Sequence, residues 1–141
     1  MTVTSEATSA WKGSLQDGSG TVALVSSGLA TFDVNWKARS EGAAATTTPE
    51  ELIAAAHSSC FNMEFSSQLA KNGTPPDSIE TTASVTFKVG AGITGSHLNV
   101  NAVVPGISPE DFERIAQSAK AGCPVSQALA GVEITIEATL A

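Results

Sequence analysis

The sequence predicts an α+β domain in which antiparallel sheets pack around one long, buried helix. Apolar and polar residues alternate in several short segments, which is typical of strands, and one segment of about 24 residues carries helix signals at both ends. Along the chain these segments give three strands, a long helix, two strands, a shorter helix and a last strand. A length of 141 residues fits a single domain, 1–141.

Composition and charge exclude several classes of protein. With 42% hydrophobic and 15% charged residues, the chain resembles a compact globular protein and not a disordered one. The formal net charge of −7 disfavours binding to nucleic acid or to an anionic membrane. No segment approaches the roughly 20 apolar residues of a membrane span, and the first residues lack the pattern of an export signal. We therefore expect a cytoplasmic protein.

The first third of the chain predicts three strands. Residues 9–16 and 21–26 are strand candidates, and Asp17-Gly18-Ser19-Gly20 between them has the composition of a hairpin turn. The segment Phe32–Arg39 alternates without a break and predicts a half-buried strand. Its apolar face consists of Phe32, Val34, Trp36 and Ala38.

The long helix has a clear start and end in the sequence. Thr48 is a suitable N-cap, Pro49 suits the first helical position, and Glu51 completes a capping box. The helix is expected over residues 49–72, followed by a glycine as its left-handed cap. From Leu52 to Leu69, apolar or small residues occur around the whole circumference, which predicts a core helix enclosed on most sides.

The second half of the chain predicts a hairpin, a helix and a final strand. Residues 83–89 and 98–104 alternate on either side of Gly90-Ala91-Gly92, as the arms of a hairpin do. The second helix begins at Ser108-Pro109-Glu110-Asp111, and the last strand covers Val132–Leu140. The buried stripe of the second helix is expected to consist of Phe112, Ile115, Ala116 and Ala119.

Any chemistry of this chain depends on its two cysteines. They are too few for a disulfide scaffold, which leaves buried thiols, metal ligands or redox chemistry. Cys60 falls in the middle of the long helix, where a small inert hydrophobic side chain is the simplest interpretation. Cys123 precedes Pro124 at the start of a short helix, a position that favours a thiolate. Position alone therefore nominates Cys123 as the more reactive residue.

Two motifs around these cysteines resemble the paired signature of the OsmC/Ohr family of thiol peroxidases. The first is Thr48-Pro49-Glu50-Glu51-Leu52-Ile53-Ala54-Ala55-Ala56-His57-Ser58-Ser59-Cys60-Phe61, and the second is Ala121-Gly122-Cys123-Pro124-Val125-Ser126. The resemblance extends from Trp11 to the last strand. It implies an OsmC-like fold, an intertwined homodimer and a peroxidase that prefers organic hydroperoxides to hydrogen peroxide.

The resemblance reverses the nomination made from helix position, because it implies that Cys60 is the peroxidatic cysteine and Cys123 the resolving one. In such a cycle the oxidised Cys60 forms a disulfide with Cys123, which an external thiol or dithiol reductant, such as a lipoyl protein, then reduces. Closing a disulfide requires Cα atoms about 4.4 to 6.8 Å apart. The short helix after Gly122 should therefore abut the middle of the long helix.

Arg39 and Glu50 complete the catalytic set that the resemblance implies. A guanidinium can orient a peroxide and stabilise the departing alkoxide. In the osmotically inducible branch of the family, the arginine has the position of Arg39, whereas the other branch carries it in the first hairpin, where residues 13–20 contain none. Glu50 matches the glutamate that orients this arginine. Without the resemblance, Arg39 belongs to a solvated strand face and Glu50 only complements the helix dipole.

The histidines and the residues around Cys60 have simpler interpretations. His57, one turn before Cys60, is expected to be packed or hydrogen-bonded, and His97 to lie on the polar face of its strand. A zinc site made of both histidines and both cysteines lacks finger-like spacing, so we predict no metal and no cofactor. Met63 and Phe65 fit the core, and Phe61, beside the nucleophile, fits an apolar substrate pocket.

Helix geometry favours an active site shared between two chains. Glu50 and Cys60 are ten residues apart, which is about 15 Å along a helix axis, so one arginine cannot comfortably serve both. Whether Glu50 acts in its own site or in the partner's site stays open. The alternative function is a non-enzymatic protein that senses peroxide or binds a hydrophobic ligand and carries a redox-active cysteine pair.

Overall fold

The computed structural model describes residues 1–42 and 45–141, which form two compact units, Met1–Pro49 and Glu50–Ala141. Each unit contains one three-stranded sheet. Among the described residues, none of the helices combines the length and the apolar composition of a membrane span. The two sheets and the long helix are those expected of an α+β fold.

The sheet of the first unit is an antiparallel meander. It consists of β1 (Ala7–Lys12), β2 (Ser19–Leu24) and β3 (Thr31–Val34), hydrogen-bonded in that order. The predicted hairpin is confirmed, but its turn lies earlier in the chain, where the Gly18 amide donates to the Ser14 carbonyl oxygen at 2.9 Å.

The predicted strand over Phe32–Arg39 is wrong in its second half. Strand β3 ends at Val34, and the short helix α1 (Trp36–Glu41) follows. Asn35 caps this helix, since its Oδ1 accepts a hydrogen bond from the Ala38 amide at 2.7 Å. Arg39 therefore lies in the last turn of a helix and is partly buried, instead of standing on an exposed strand face.

The long helix, α2 (Pro49–Lys71), has the predicted start and ends one residue early. Gly73 follows with φ of 83°, the left-handed conformation expected of a glycine cap. Within one chain the helix is not enclosed on most sides. One face is buried in the core, while Ala55, Ser59 and Met63 on another face are exposed, Met63 by 73%.

The second sheet is mixed, which corrects the expectation of antiparallel sheets. Its strands β4 (Ser78–Lys88), β5 (Gly92–Val103) and β6 (Glu133–Leu140) are adjacent in that order, and β5 pairs with β6 in parallel. The connection between these two strands contains α3 (Pro109–Gly122) and α4 (Pro124–Ala128). Parallel neighbours need a long crossover of this kind, whereas β4 and β5 form the predicted hairpin.

The core of the second unit lies between α2, α3 and the sheet. Phe65 is fully buried, with its ring centroid 5.4 Å from that of Phe61 and 5.5 Å from that of Phe112. Phe65 is a core residue as predicted, whereas Met63 is not. Phe61 is also fully buried, so it does not line a pocket open to substrate. The predicted stripe of α3 is confirmed: Phe112, Ile115, Ala116 and Ala119 are all buried.

Candidate active site

The two cysteines meet where α4 begins against the middle of α2. Their side chains hydrogen-bond to each other, and both are free thiols. Cys123 is fully buried, whereas Cys60 is partly exposed. The expectation that the short helix after Gly122 abuts the long helix is thus confirmed.

Local backbone structure places the Cys123 thiol at the joint between α3 and α4. Its amide donates to the Ala119 carbonyl oxygen at 2.9 Å, and its carbonyl oxygen accepts from the Gln127 amide at 3.0 Å. A ψ of 122° at Cys123 interrupts the helix, and Pro124 then starts α4, as the sequence indicated. The Cys123 side chain makes no capping hydrogen bond, so its sulfur is available to Cys60.

Gly122 allows the end of α3 to approach α2 closely. A Cβ atom at this position would lie 3.2 Å from Glu64 Oε1 and 3.3 Å from Gln68 Nε2. Those two side chains hydrogen-bond to each other at 2.7 Å on the face of α2 that follows Cys60. Because Gly122 has no side chain, the next residue, Cys123, can come close to α2, the helix that carries Cys60.

The surroundings of Cys60 favour its neutral thiol. Burial raises the pKa of Cys60 most, and the hydrogen bond to Cys123 and the negative charge of Glu64 raise it further. The Val125 backbone N–H, which hydrogen-bonds to the sulfur, lowers this pKa. Within the second unit, Glu50–Ala141, no cation is among the groups that shift the pKa of Cys60. A thiolate at this position needs a positive charge from another source.

The other two predicted site residues are Arg39 and Glu50. Glu50 lies in the first turn of α2, is only 6% exposed and interacts with neighbouring groups. It is ten residues from Cys60, about 15 Å along the helix axis. Arg39 belongs to the first unit and is likewise engaged with other residues. The second unit therefore brings Cys60 and Cys123 together. It places Glu50 away from them, at the N-terminal end of α2.

His57 is hydrogen-bonded, as predicted, through both ring nitrogens. Nδ1 lies 2.7 Å from Ser96 Oγ on β5, and Nε2 lies 2.8 Å from Ser126 Oγ on α4. The sequence did not nominate either serine, although Ser126 closes the second motif. His97 pairs with Thr135 at 2.6 Å. Across residues 1–42 and 45–141, no group of three or more His, Cys, Asp or Glu side chains is arranged to hold a metal ion.

Comparisons with known proteins agree with this arrangement. Residues 40–137, which include both cysteine motifs, match the family of OsmC-like proteins. The chain is 44% identical over 140 residues to "Peroxiredoxin OsmC" of Escherichia coli (strain K12), covering 97% of this chain and 96% of that protein, and shows the same identity and coverage to the Shigella flexneri protein of that name.

Solved structures show the same fold at lower identity. An organic hydroperoxide resistance protein OsmC from Legionella pneumophila superimposes with a TM-score of 0.72 at 21% identity, covering 98% of each chain. The organic hydroperoxide resistance protein OhrB of Bacillus subtilis gives 0.68 at 23% identity, covering 97% of this chain and 98% of that one. With these matches, and with both cysteine motifs inside the matched region, the chain belongs to the OsmC-like family.

Proposed function

We propose that this protein is a cysteine-based peroxidase that reduces organic hydroperoxides to alcohols, and hydrogen peroxide less well. The observation that carries the proposal is the contact between Cys60 and Cys123, the only two cysteines of the chain, which come from segments 63 residues apart. A close pair of free thiols can pass between dithiol and disulfide without a large movement. The relative from Escherichia coli is named a peroxiredoxin, which supports this chemistry.

The exposure of the two thiols supports different roles for them. Cys60 is partly exposed and Cys123 is fully buried, so a peroxide from solvent meets Cys60 first. The Cys60 thiolate attacks the O–O bond, Cys60 becomes a sulfenic acid, and the departing alkoxide takes up a proton, equivalent to the one that the thiol released, to form the alcohol. The Cys123 thiol then displaces the hydroxyl group, which leaves as water, and the Cys60–Cys123 disulfide forms. An external thiol or dithiol, such as a lipoyl protein, returns the pair to the reduced state.

Arg39 is the group that we propose to supply the positive charge. The pKa of Cys60 is raised mainly by burial, so an added guanidinium would favour its thiolate and also orient the peroxide. Arg39 lies in the last turn of α1. The sequence resemblance described above matches it to the arginine of the osmotically inducible branch. Glu50, buried in the first turn of α2, is proposed to orient this guanidinium.

An intertwined homodimer is the arrangement in which we propose these residues act. The exposed face of α2 includes Met63, which is 73% exposed, together with small residues that allow a second helix to approach closely. Glu50 and Cys60 lie about 15 Å apart along one helix, so a site that needs both near one guanidinium is more simply built from two chains. Packing the two long helices side by side would cover Met63.

The substrate preference and cellular location are also part of the proposal. Because Phe61 and Phe65 are fully buried, any apolar wall beside Cys60 must come from other groups, such as those at the proposed dimer interface. The Legionella and Bacillus proteins are named for organic hydroperoxide resistance, which favours organic substrates. We propose a cytoplasmic location, where reduced thiols are available as electron donors.

Turnover tests this proposal. Reduced protein should consume many equivalents of cumene hydroperoxide when dihydrolipoamide is present, with a higher kcat/KM than for hydrogen peroxide. Thioredoxin and a monothiol, tested in parallel, would identify the class of reductant. Consumption that stops after one equivalent with every reductant would favour the sensing protein instead.

A further inference from the structure

Ser96, His57 and Ser126 form a buried hydrogen-bond network that joins three elements of the second unit. The His57 ring is fully buried, and the serines are 3% and 5% exposed. In the described part of the chain, every buried side-chain nitrogen or oxygen has a hydrogen-bond partner. The network is therefore complete, and removing either hydroxyl leaves one ring nitrogen without its partner.

The protonation state of His57 determines which groups donate and which accept in this hydrogen-bond network. Burial lowers the pKa of His57, so the ring is neutral near pH 7 and has one N–H donor and one acceptor nitrogen. One serine hydroxyl therefore donates to the ring and the other accepts from it. A serine can do either, so the network holds with each tautomer.

The network lies one turn away from the two thiols on both segments that carry them. His57 is three residues before Cys60 on α2, and Ser126 is three residues after Cys123 on α4. Val125, next to Ser126, directs its backbone N–H to the Cys60 sulfur. The two cysteine segments are thus tied together twice, once through the sulfurs and once through the imidazole.

Helix α4 needs such a tie because it is only five residues long. A helix of this length is not stable by its own hydrogen bonds, so tertiary contacts fix its position. Ser126 is its buried polar contact, and it reaches α2 through His57. Ser96, in contrast, lies on β5, a central strand held by β4 and β6 on either side.

We propose that His57 is a positioning residue that acts through Ser126 to hold α4 so that Cys123 stays within bonding reach of Cys60. This inference rests on the proposed peroxidase function. The step it serves joins the Cys60 sulfenic acid and the Cys123 thiol: an S–S bond forms, the S–O bond breaks, and water carries away the hydroxyl group and the thiol proton. Fast resolution leaves less time for a second peroxide to oxidise Cys60 to the sulfinic acid.

The test compares Ser126→Ala with Ser96→Ala, since each takes one hydroxyl from the same imidazole. Reduced protein is mixed with cumene hydroperoxide without reductant, quenched at intervals, and the sulfenic, disulfide and sulfinic forms are counted by mass spectrometry. A misplacement of about 1 Å can slow a reaction on the order of 100-fold, so Ser126→Ala should slow disulfide formation 10- to 100-fold. The peroxide concentration that overoxidises half of Cys60 should fall by the same factor.

The controls separate positioning from general stability. Ser96→Ala should keep the wild-type partition between disulfide and sulfinic acid, and Ser126→Thr, which retains the hydroxyl group, should restore it. Thermal melts show that each variant is folded. Wild-type partition in Ser126→Ala, or equal slowing in both alanine variants, would overturn the proposal.

A second measurement does not depend on peroxidase activity. Glutathione disulfide oxidises Cys60 to a mixed disulfide, and Cys123 then displaces glutathione, so the equilibrium reports the effective concentration of the Cys123 thiol at Cys60. Ser126→Ala should lower it 10- to 100-fold relative to Ser96→Ala. If the wild type failed to turn over peroxide but this difference persisted, the proposed function would be wrong and the positioning role correct. Equal values in the two variants would refute the positioning role.

Discussion

Glu64 lies one helical turn beyond Cys60, and its negative charge opposes ionisation of the Cys60 thiol. The carboxylate is held toward the end of α3 by the Gln68 side chain, which donates to it at 2.7 Å. In a site that depends on a thiolate, this acidic group works against the chemistry. The two partly buried side chains fill the space that Gly122 leaves open.

Glu64→Gln should therefore lower the pKa of Cys60. Alkylation of Cys60 by iodoacetamide should be faster at pH 7, while its limiting rate at high pH stays close to the wild-type rate. Glu113→Gln is the matched control, because Glu113 makes the same hydrogen bond to a glutamine four residues later but lies on the exposed face of α3. An unchanged pH profile in Glu64→Gln would show that its charge is too well solvated to act on the thiol.

Substitution of each cysteine should have a different effect. Cys60→Ser should abolish peroxide reduction, because the attacking sulfur is lost. Cys123→Ser should still attack once, after which excess peroxide converts the unprotected sulfenic acid of Cys60 to the sulfinic state. Mass spectrometry of the intact protein distinguishes these products. Overoxidation found mainly at Cys123 in the wild type would reverse the assignment of roles.

His57 should make the fold less stable as the pH falls below neutrality. Burial lowers its pKa in the folded state below the unfolded value near 6.5, so the unfolded chain takes up the proton first. The free energy of unfolding should fall from pH 7 to pH 5, and this slope should be smaller in His57→Gln. Urea unfolding at several pH values measures it. His97→Gln shows what loss of a histidine outside the network does, and an equal change in slope there would contradict the role given to burial.

Mixing two inactive variants tests the proposed dimer. Cys60→Ser and Glu50→Ala chains, unfolded together and refolded, should regain part of the activity if each site takes these residues from different chains.

Arg39→Ala should lower activity more than it lowers the melting temperature. Met63→Lys should weaken association, since a charge would replace the large apolar side chain on the exposed face of α2. Light scattering measures the oligomeric state. A protein that is monomeric by this measurement and yet fully active would contradict the proposed dimer.

Much of the fold could be predicted because its signals are local. The proline and glycine at the ends of α2, and the Ser108 cap of α3, mark helix ends through backbone chemistry that does not depend on the rest of the chain. The error at Arg39 came from alternation, which a strand and a short capped helix can share over a few residues. The direction of β6 relative to β5 was missed because a strand pattern carries no polarity, although the helix between them favours a parallel pair.

The site was predictable only in part, because a helix that is apolar on all sides does not reveal which face is buried. Phe61 and Met63 were therefore given the wrong surroundings. Helix position and the family resemblance nominate different cysteines as the nucleophile, and the assignment to Cys60 stays a prediction. The contact between Cys60 and Cys123 followed from the resemblance and is confirmed. The roles of Ser96 and Glu64 depend on long-range packing, which no local pattern encodes.

Because Cys123 lies at the joint between α3 and α4, its oxidation should also change the stability of the fold. A Cys60–Cys123 bond would tie the crossover between the parallel strands to the central helix and close a loop of about 64 residues, which by chain entropy alone is worth about 4 kcal/mol. The oxidised chain should then melt about 10 °C above the reduced one and resist proteolysis longer. Oxidised protein, which accumulates when reductant is scarce, would therefore be the form that is more stable and more resistant to proteolysis. It would persist until reductant is available again.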